Sequence, residues 1–369
     1  MSYALSLAKK NLGITAPNPV VGCVIVKDGQ IISTGVTSRD GRPHAEKNAI
    51  DGFVLQYGDV KDSLFGANIY VTLEPCCHFG KTSPCIDEII RIKPKRVVVA
   101  ALDPDVRVNG EGVRLLRESG IEVVIGVMEK EAQEINRGFF KSNLQKTPFV
   151  TLKIATSLDG KIATKNYDSK WITSEKSRQF SHYLRAVNDA ILIGANTVRK
   201  DDPMLNCRIL GLENFSPRKV VISGSVDLNP DSKIFQKLPD NLLTILTIKK
   251  EKIALDEQCY PSNVEVIFCA EKDGRVDLKD ALIQLCKSGI NSLLVEGGSD
   301  IATQFIAQNL VDELVWIRSK KIIGDDGIPA IGSMNFTKIS EVINLFSDSE
   351  IFRQKIINLE GDLIEIYKF

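Results

Sequence analysis

Residues 44 to 46 read His-Ala-Glu, Pro75-Cys76 begins 29 positions after that glutamate, and Cys85 follows Cys76 by nine. One imidazole, two thiols and a spare carboxylate are the parts of a hydrolytic zinc site. A chain that uses them must bring three separate segments to a single point. Zinc that catalyses keeps three protein ligands and leaves the fourth position to water, whose pKa it lowers to about 7. Glu46, two residues from the ligand His44, then carries protons between that water and the leaving group. A structural zinc site instead shows four Cys/His ligands in two close pairs, whereas the thiols here are nine apart. The plain alternative is that Cys76, Cys77 and Cys85 are buried thiols and His44 a loop histidine. Cys77 and His78 also compete as ligands; Cys76 is favoured because it directly follows the proline.

The order H-x-E, then P-C, is the pattern of zinc-dependent nucleobase deaminases, with the glutamate as acid and base. At 369 residues the chain exceeds what one core usually serves, so two domains are expected. Hydrophobic content of 43% with 25% charged residues is that of a globular protein. Lys+Arg and Asp+Glu both number 47, so the basic excess typical of nucleic-acid binders is missing and a small-molecule substrate is expected. The start, MSYALSLAKKNLG, reads as an amphipathic helix with Tyr3, Leu5, Ala8 and Leu12 apolar, too short and lysine-bearing for a secretory signal. No apolar run approaches the roughly 20 residues of a membrane span. Eight scattered cysteines make no disulfide framework, so a reducing, cytoplasmic setting is expected.

Over the first 145 residues helices and strands alternate. Val20 to Val26 and Gln30 to Gly35 form a hairpin about an Asp-Gly turn. A helix runs from His44 to about Tyr57, with strands at 68 to 72, 96 to 101 and 122 to 126. Helices are expected over 85 to 91, 112 to 119 and 129 to 143. The imidazole then sits at one helix N-terminus and the thiolates at another, where both dipoles favour an anion. The pattern restarts at Thr147-Pro148 with a strand over 149 to 155. A helix capped at Thr173 or Ser174 reaches Asn188, and a strand over 189 to 193 enters Gly194-Ala195-Asn196-Thr197. Strand 292 to 295 ends in Glu296-Gly297-Gly298-Ser299 ahead of a helix from about Asp300 to Gln308. That turn is either a phosphate cradle or a tight connection. No G-x-G-x-x-G opens a βαβ unit, so a nicotinamide cofactor is not held in the Rossmann manner.

Several segments together resemble the bifunctional deaminase/reductases of riboflavin biosynthesis. They are Pro17 to Gly22, Pro43 to Glu46, Thr72 to Cys85, Lys153 to Lys161, Ser169 to Thr173, Asp201 to Asn206 and Glu296 to Gly298. The resemblance implies an α/β protein: a cytidine-deaminase-like α/β/α sandwich over 1–145 and a dihydrofolate-reductase-like α/β domain over 146–369. It implies zinc on His44, Cys76 and Cys85, with Glu46 catalytic. It places Asn18 and Lys81 on the substrate of the first domain, although Asn18 between prolines also reads as a turn residue and Lys81 as a solvated charge. In the second domain it places Ser169, Arg185, Leu205, Arg208 and Glu296 on substrate. It places NADPH along Ala155, Trp171, Thr197, Asp201, Gly298, Ser299 and Asp300. The implied substrate is a pyrimidine ribosylamine phosphate, first deaminated and then reduced from ribosyl to ribityl. No nucleic-acid or membrane partner is implied, and a homo-oligomer is expected on symmetry grounds.

Three positions depart from the family pattern: Lys47, the pair Asp105-Val106, and Asp227, which stands where a basic residue is expected near an adenosine 2′-phosphate. An acid there would repel the phosphate, with Ser223 and Ser225 still able to donate. Two rival readings remain. One is a deaminase of free cytidine or tRNA adenosine, which leaves the last 220 or so residues idle. The other is a second domain that only binds or oligomerises.

Overall fold

Asp28 and Gly29 both carry positive φ, 50° and 77°, as a two-residue turn matched to strand twist requires. They join β1 (Gly22–Lys27) to β2 (Gln30–Val36), an antiparallel pair. The computed structural model describes residues 1–58, 63–80, 82–225, 228–236, 242–248, 263–342 and 353–369. Lys81 and Asp227 lie outside the described residues. The chain divides into two compact units, Met1–Lys146 and Thr147–Phe369.

In the first unit β1 also pairs antiparallel with β3 (Asn68–Leu73), and β4 (Arg96–Ala101) and β5 (Glu122–Ile125) extend it in parallel, in the order β2-β1-β3-β4-β5. Alternate residues of β1 serve different cores. Cys23 and Ile25 pack in the main core with α2 (Ala45–Tyr57) and α3 (Cys85–Ile92), while Val24 packs with Ala4 and Leu7. Those last two belong to α1 (Ser2–Ala8), so the expected N-terminal helix forms. Its buried residues are Ala4, Leu5, Leu7 and Ala8, and Tyr3 is exposed.

Next comes α4 (Glu111–Glu118). The helix expected over 129 to 143 is two, α5 (Glu129–Ile135) and α6 (Arg137–Gln145). Between them Asn136 leaves helical geometry, and its side chain clamps Val20, accepting from Val20 N and donating to Val20 O, both at 2.9 Å. Both bonds lie buried, which compensates for the break.

Among the described residues the second unit is built on a nine-stranded sheet. Its strands in chain order are β6 (Phe149–Thr156), β8 (Ala190–Gly194), β9 (Arg218–Ile222), β10 (Leu243–Ile248), β11 (Val264–Cys269), β14 (Ser292–Val295), β15 (Glu313–Arg318), β17 (Arg353–Leu359) and β18 (Asp362–Lys368). Four short strands form two separate pairs: β7 (Lys161–Ala163) with β16 (Ile328–Pro329), and β12 (Glu271–Lys272) with β13 (Arg275–Val276). The sheet order is β11-β10-β9-β8-β14-β6-β15-β18-β17, parallel as far as β15 and antiparallel beyond. Every residue of β8 is buried: Ala190 and Leu192 enter one core, Ile191 and Ile193 the other. That is the mark of a parallel sheet covered on both faces. Among the described residues four helices accompany it: α7 (Glu175–Ala186), α8 (Ala195–Asp201), α9 (Leu278–Lys287) and α10 (Ser299–Ala307). Ser174 caps α7 by accepting from Ser177 N, one of the two caps foreseen.

Candidate functional site

Where strand and helix ends meet in the first unit, the foreseen triad assembles. His44 occupies the N-cap position of α2, and Gly35 lets that helix start against β2: a Cβ on Gly35 would lie 2.1 Å from Ala45 O. β3 ends at Leu73 and the chain runs directly into Glu74-Pro75-Cys76, while Cys85 opens α3. His44 Nδ1 lies 3.3 Å from Cys85 Sγ and 3.6 Å from Cys76 Sγ, and the three ligand atoms fall within 4.8 Å of one another. The Cys85 amide at the α3 N-terminus donates to Cys76 Sγ at 3.3 Å. Hydrogen bonds from the Cys85 thiol and from His44 hold Cys76 down to about 4 against burial, the condition of a thiolate ready to bind metal. The same bond and burial push the Cys85 thiol up.

An imidazole with two sulfurs in reach suits zinc, and no fourth His, Cys, Asp or Glu joins this group among the described residues. Cys77 is not part of it; its Sγ faces Arg107 O at 3.6 Å. Glu46 follows in the first turn of α2, only 4% exposed, and burial raises its carboxyl to about 7. A carboxyl near 7 both takes and returns a proton at neutral pH.

The connection from β4 to α4 is held by a residue that sequence reasoning passed over. Glu74 is buried and accepts from the amides of Asp103 (3.2 Å), Gly110 (2.9 Å) and Val113 (3.0 Å). Asn18, assigned to substrate, donates its amide to Gly41 O at 3.0 Å, which steadies the loop before His44.

In the second unit the C-terminal ends of β8, β9 and β14 border a cleft of about 640 Å³, within the usual range for ligand sites. Ser169, Thr197, Asp201, Gly298, Ser299 and Asp300 line it; Ala155, Trp171, Arg185, Leu205, Arg208 and Glu296 lie outside that lining. Gly297 has no room for a side chain, since a Cβ would come within 2.5 Å of Ile301 Cβ.

Arg185 and Glu296 meet as a bidentate pair at 2.8 and 2.9 Å, and Lys153 Nζ joins Glu296 at 3.3 Å, all three largely shielded from solvent. Burial works against the Glu296 charge, but Arg185 and Lys153 outweigh it and hold the carboxyl well below its ordinary range. Asn206 gathers the neighbours. Its carbonyl accepts from Arg185 Nη1 (3.2 Å) and sits 3.1 Å from His182 Nδ1, and its side chain accepts from Arg208 at 3.0 Å. Burial, then Arg185 and Arg208, push His182 down to about 4, so at neutral pH it is an uncharged imidazole whose Nδ1–H donates to that carbonyl. Leu205 is buried, with φ of 53°. Trp171 is exposed beneath the Arg178 guanidinium, 4.4 Å from the ring centroid. Lys153 was readable in principle: a lysine inside the apolar strand Phe149–Thr156 must find a counter-charge.

Comparison with known proteins agrees with both units. Residues 1–101 match the cytidine and deoxycytidylate deaminase zinc-binding region, and residues 148–352 match the RibD C-terminal domain. The riboflavin biosynthesis protein RibD of Aquifex aeolicus is 40% identical over 100% of this chain and 97% of its own length, and that of Escherichia coli 37% identical over 88% of each. The crystal structure of a diaminohydroxyphosphoribosylaminopyrimidine deaminase/5-amino-6-(5-phosphoribosylamino)uracil reductase from Thermotoga maritima has 36% identity and a TM-score of 0.82, covering 100% of this chain and 97% of that one. Acinetobacter baumannii RibD has 32% identity and a TM-score of 0.85 over the same shares. The expected pairing of a cytidine-deaminase-like with a dihydrofolate-reductase-like domain therefore holds. From these matches over its full length, the chain belongs to the RibD family, bifunctional enzymes of riboflavin biosynthesis that join a zinc-dependent deaminase to an NADPH-dependent reductase.

Proposed function

We propose that the chain hydrolyses the 2-amino group of 2,5-diamino-6-(5-phosphoribosylamino)pyrimidin-4(3H)-one and then reduces the ribosyl chain of 5-amino-6-(5-phosphoribosylamino)uracil to ribityl. The observation that carries this is the convergence of His44, Cys76 and Cys85 beside the buried Glu46. Those three residues hold the zinc, which when bound supplies a Lewis acid and lowers the pKa of water. Glu46 takes the proton of the attacking water and delivers it to the departing amine, a task for which a carboxyl near 7 is poised. Asn18 and Lys81 bind the substrate around this centre.

In the second unit NADPH, when bound, supplies hydride. Gly298, Ser299 and Asp300 present the α10 N-terminus to the cofactor diphosphate, with Thr197 and Asp201 also lining the cleft. Ala155 and Trp171, the latter two residues past Ser169, complete the cofactor surface. The opened sugar is held by Ser169, Leu205, Arg208 and the Arg185–Glu296 pair. Arg208 is exposed and presents its guanidinium fork to the phosphate. The protein's main task here is to hold donor and acceptor within about 3 to 3.5 Å.

No helix among the described residues is long and apolar enough to cross a membrane. The zero net charge supports a substrate that is not a nucleic acid, and the free thiols at the zinc site support action in the cytoplasm. A homo-oligomer is the form expected in solution.

The test is a coupled assay from the diamino substrate that follows ammonia release and NADPH oxidation together, beside Glu46→Gln. Ammonia first, NADPH consumption second, and neither with the variant supports the two-step reading. Ammonia without NADPH oxidation, or NADPH oxidation ahead of ammonia, would overturn it.

A further inference from the structure

The cleft of the second unit has a direction. At one end it is lined by Ile162, Ala163 and Ser169, in and after β7, which packs on β6. It passes the start of α10 beyond β14 and the end of β8, and finishes at Ser223-Gly224-Ser225 beyond β9. On the reading that a dinucleotide fills this cleft, with the reacting ring beside Ser169 and the diphosphate at α10, its adenosine lies over the end of β9.

Three cationic side chains line the cleft among the described residues: Arg199, Lys200 and Arg275. Lys200 Nζ sits 3.3 Å from the ring centroid of Tyr167, in the loop after β7 and so at the reacting end. Arg199, on α8, donates to Asn196 Oδ1 at 3.1 Å. Arg275 belongs to β13, which packs against β10, the strand next to β9. That sets it at the adenosine end. There its Nη1 reaches both oxygens of Asp300, at 2.9 and 3.2 Å, while Gln304 holds the same carboxylate at 2.9 Å. The Arg275–Asp300 pair is well exposed, 60% and 66%, so it orients the guanidinium without consuming it. The remaining N–H groups of the fork make no bond to a described protein atom. The cleft lining also holds Ser223, Ser225 and Gly224, where a Cβ would meet nothing within 4 Å.

We propose that Arg275, steadied by Asp300, reads the 2′-phosphate of the dinucleotide and sets its preference for the phosphorylated form. A guanidinium fork fits a phosphate monoester, whereas a ribose hydroxyl at the same place calls for an acid free to accept. The carboxylate beside Arg275, Asp300, is already occupied by Arg275 and Gln304.

The experiment measures dissociation constants of the full chain for NADPH and NADH by nicotinamide fluorescence, and for adenosine 2′,5′-bisphosphate and 5′-AMP by calorimetry. Arg275→Ala and Arg275→Lys are measured alongside. Arg275→Ala is expected to weaken NADPH and the bisphosphate about 10- to 100-fold, the range of a charge-assisted bond, while NADH and 5′-AMP stay within about twofold. Arg275→Lys is expected to recover part of the loss. Equal weakening of phosphorylated and unphosphorylated ligands would show a structural role and overturn the proposal. So would a wild-type preference for NADPH that Arg275→Ala leaves intact. If the wild type binds neither dinucleotide, the reading of the cleft fails first and the assignment of Arg275 falls with it.

Discussion

Replacing Arg185 by methionine separates the two halves of the molecule in a single experiment. The guanidinium makes two bonds to Glu296, at 2.8 and 2.9 Å, and one to Asn206 O at 3.2 Å. Side-chain exposure is only 14% for Arg185 and 9% for Glu296, so water replaces little of what is lost. Breaking a buried pair by removing one partner costs about 3–5 kcal/mol; Lys153 still faces Glu296 at 3.3 Å, which favours the lower end, about 3 kcal/mol. For a unit of this size that lowers its Tm by roughly 6–12 °C. The chain's two tryptophans, Trp171 and Trp316, both lie in the second unit, so tryptophan emission excited beyond the tyrosine band reports its melting alone. The pH dependence has a defined sign. Glu296 is held below the ordinary carboxylate range, so the pair's contribution is complete above the unfolded value of about 4.3 and fades as pH falls through the lower folded one. The deficit should therefore be full at pH 7 and shrink in acid. A cycle with Glu296→Gln should show coupling of about 1–3 kcal/mol. Reduction of the deaminated substrate should fail while ammonia release from the diamino substrate continues. A Tm within 2 °C or so of wild type, or ammonia release falling in step with reduction, would refute this account.

Three further outcomes are expected. Cys76→Ser should strip zinc from the purified chain by elemental analysis whereas Cys77→Ser should keep it, because Cys76 faces His44 and Cys77 faces Arg107 O. Glu74→Gln replaces a carboxylate that accepts three amides by a group with one acceptor oxygen; each orphaned N–H costs about 1–3 kcal/mol, visible as faster hydrogen exchange at Gly110 and Val113. Gly297→Ala should displace α10 and weaken dinucleotide binding far more than Gly298→Ala, whose Cβ would meet only Thr197 Oγ1 at 3.7 Å; titration of the two variants side by side checks the order.

What the sequence disclosed, and what it hid, follows from how local each interaction is. His44, Glu46, Cys76 and Cys85 were legible because zinc chemistry admits few residue types and few spacings. The β1–β2 turn was legible because Asp28-Gly29 meets a backbone demand within two residues. Asn136 was not: helical periodicity runs across it, and the reason for the break is Val20, 116 positions away. The N-terminal helix was found and Leu5 and Ala8 are buried as expected, but Tyr3 points to solvent while Ala4 and Leu7 meet Val24. Arg185 and Glu296 were singled out one by one as substrate residues; their pairing across 111 positions, and the part Lys153 plays in it, needed the fold.

Both units answer one electrostatic problem in the same way. A site that handles anions or thiolates needs positive potential without mobile cations, and helix N-termini at the C-terminal ends of parallel strands supply it from the backbone. In the first unit β3 delivers Cys76 and α3 turns its Cys85 amide onto that sulfur. In the second, β14 ends at Val295 and α10 begins at Ser299, with only Glu296-Gly297-Gly298 between them. So short a link leaves no space for a Cβ at Gly297, while Glu296, its first residue, is captured by Arg185 and Lys153. The connection that presents the helix end to the cleft is thus the one that anchors the charged cluster. A substitution that loosens Glu296 should therefore weaken dinucleotide binding as well as substrate binding, even though Glu296 lies outside the cleft lining.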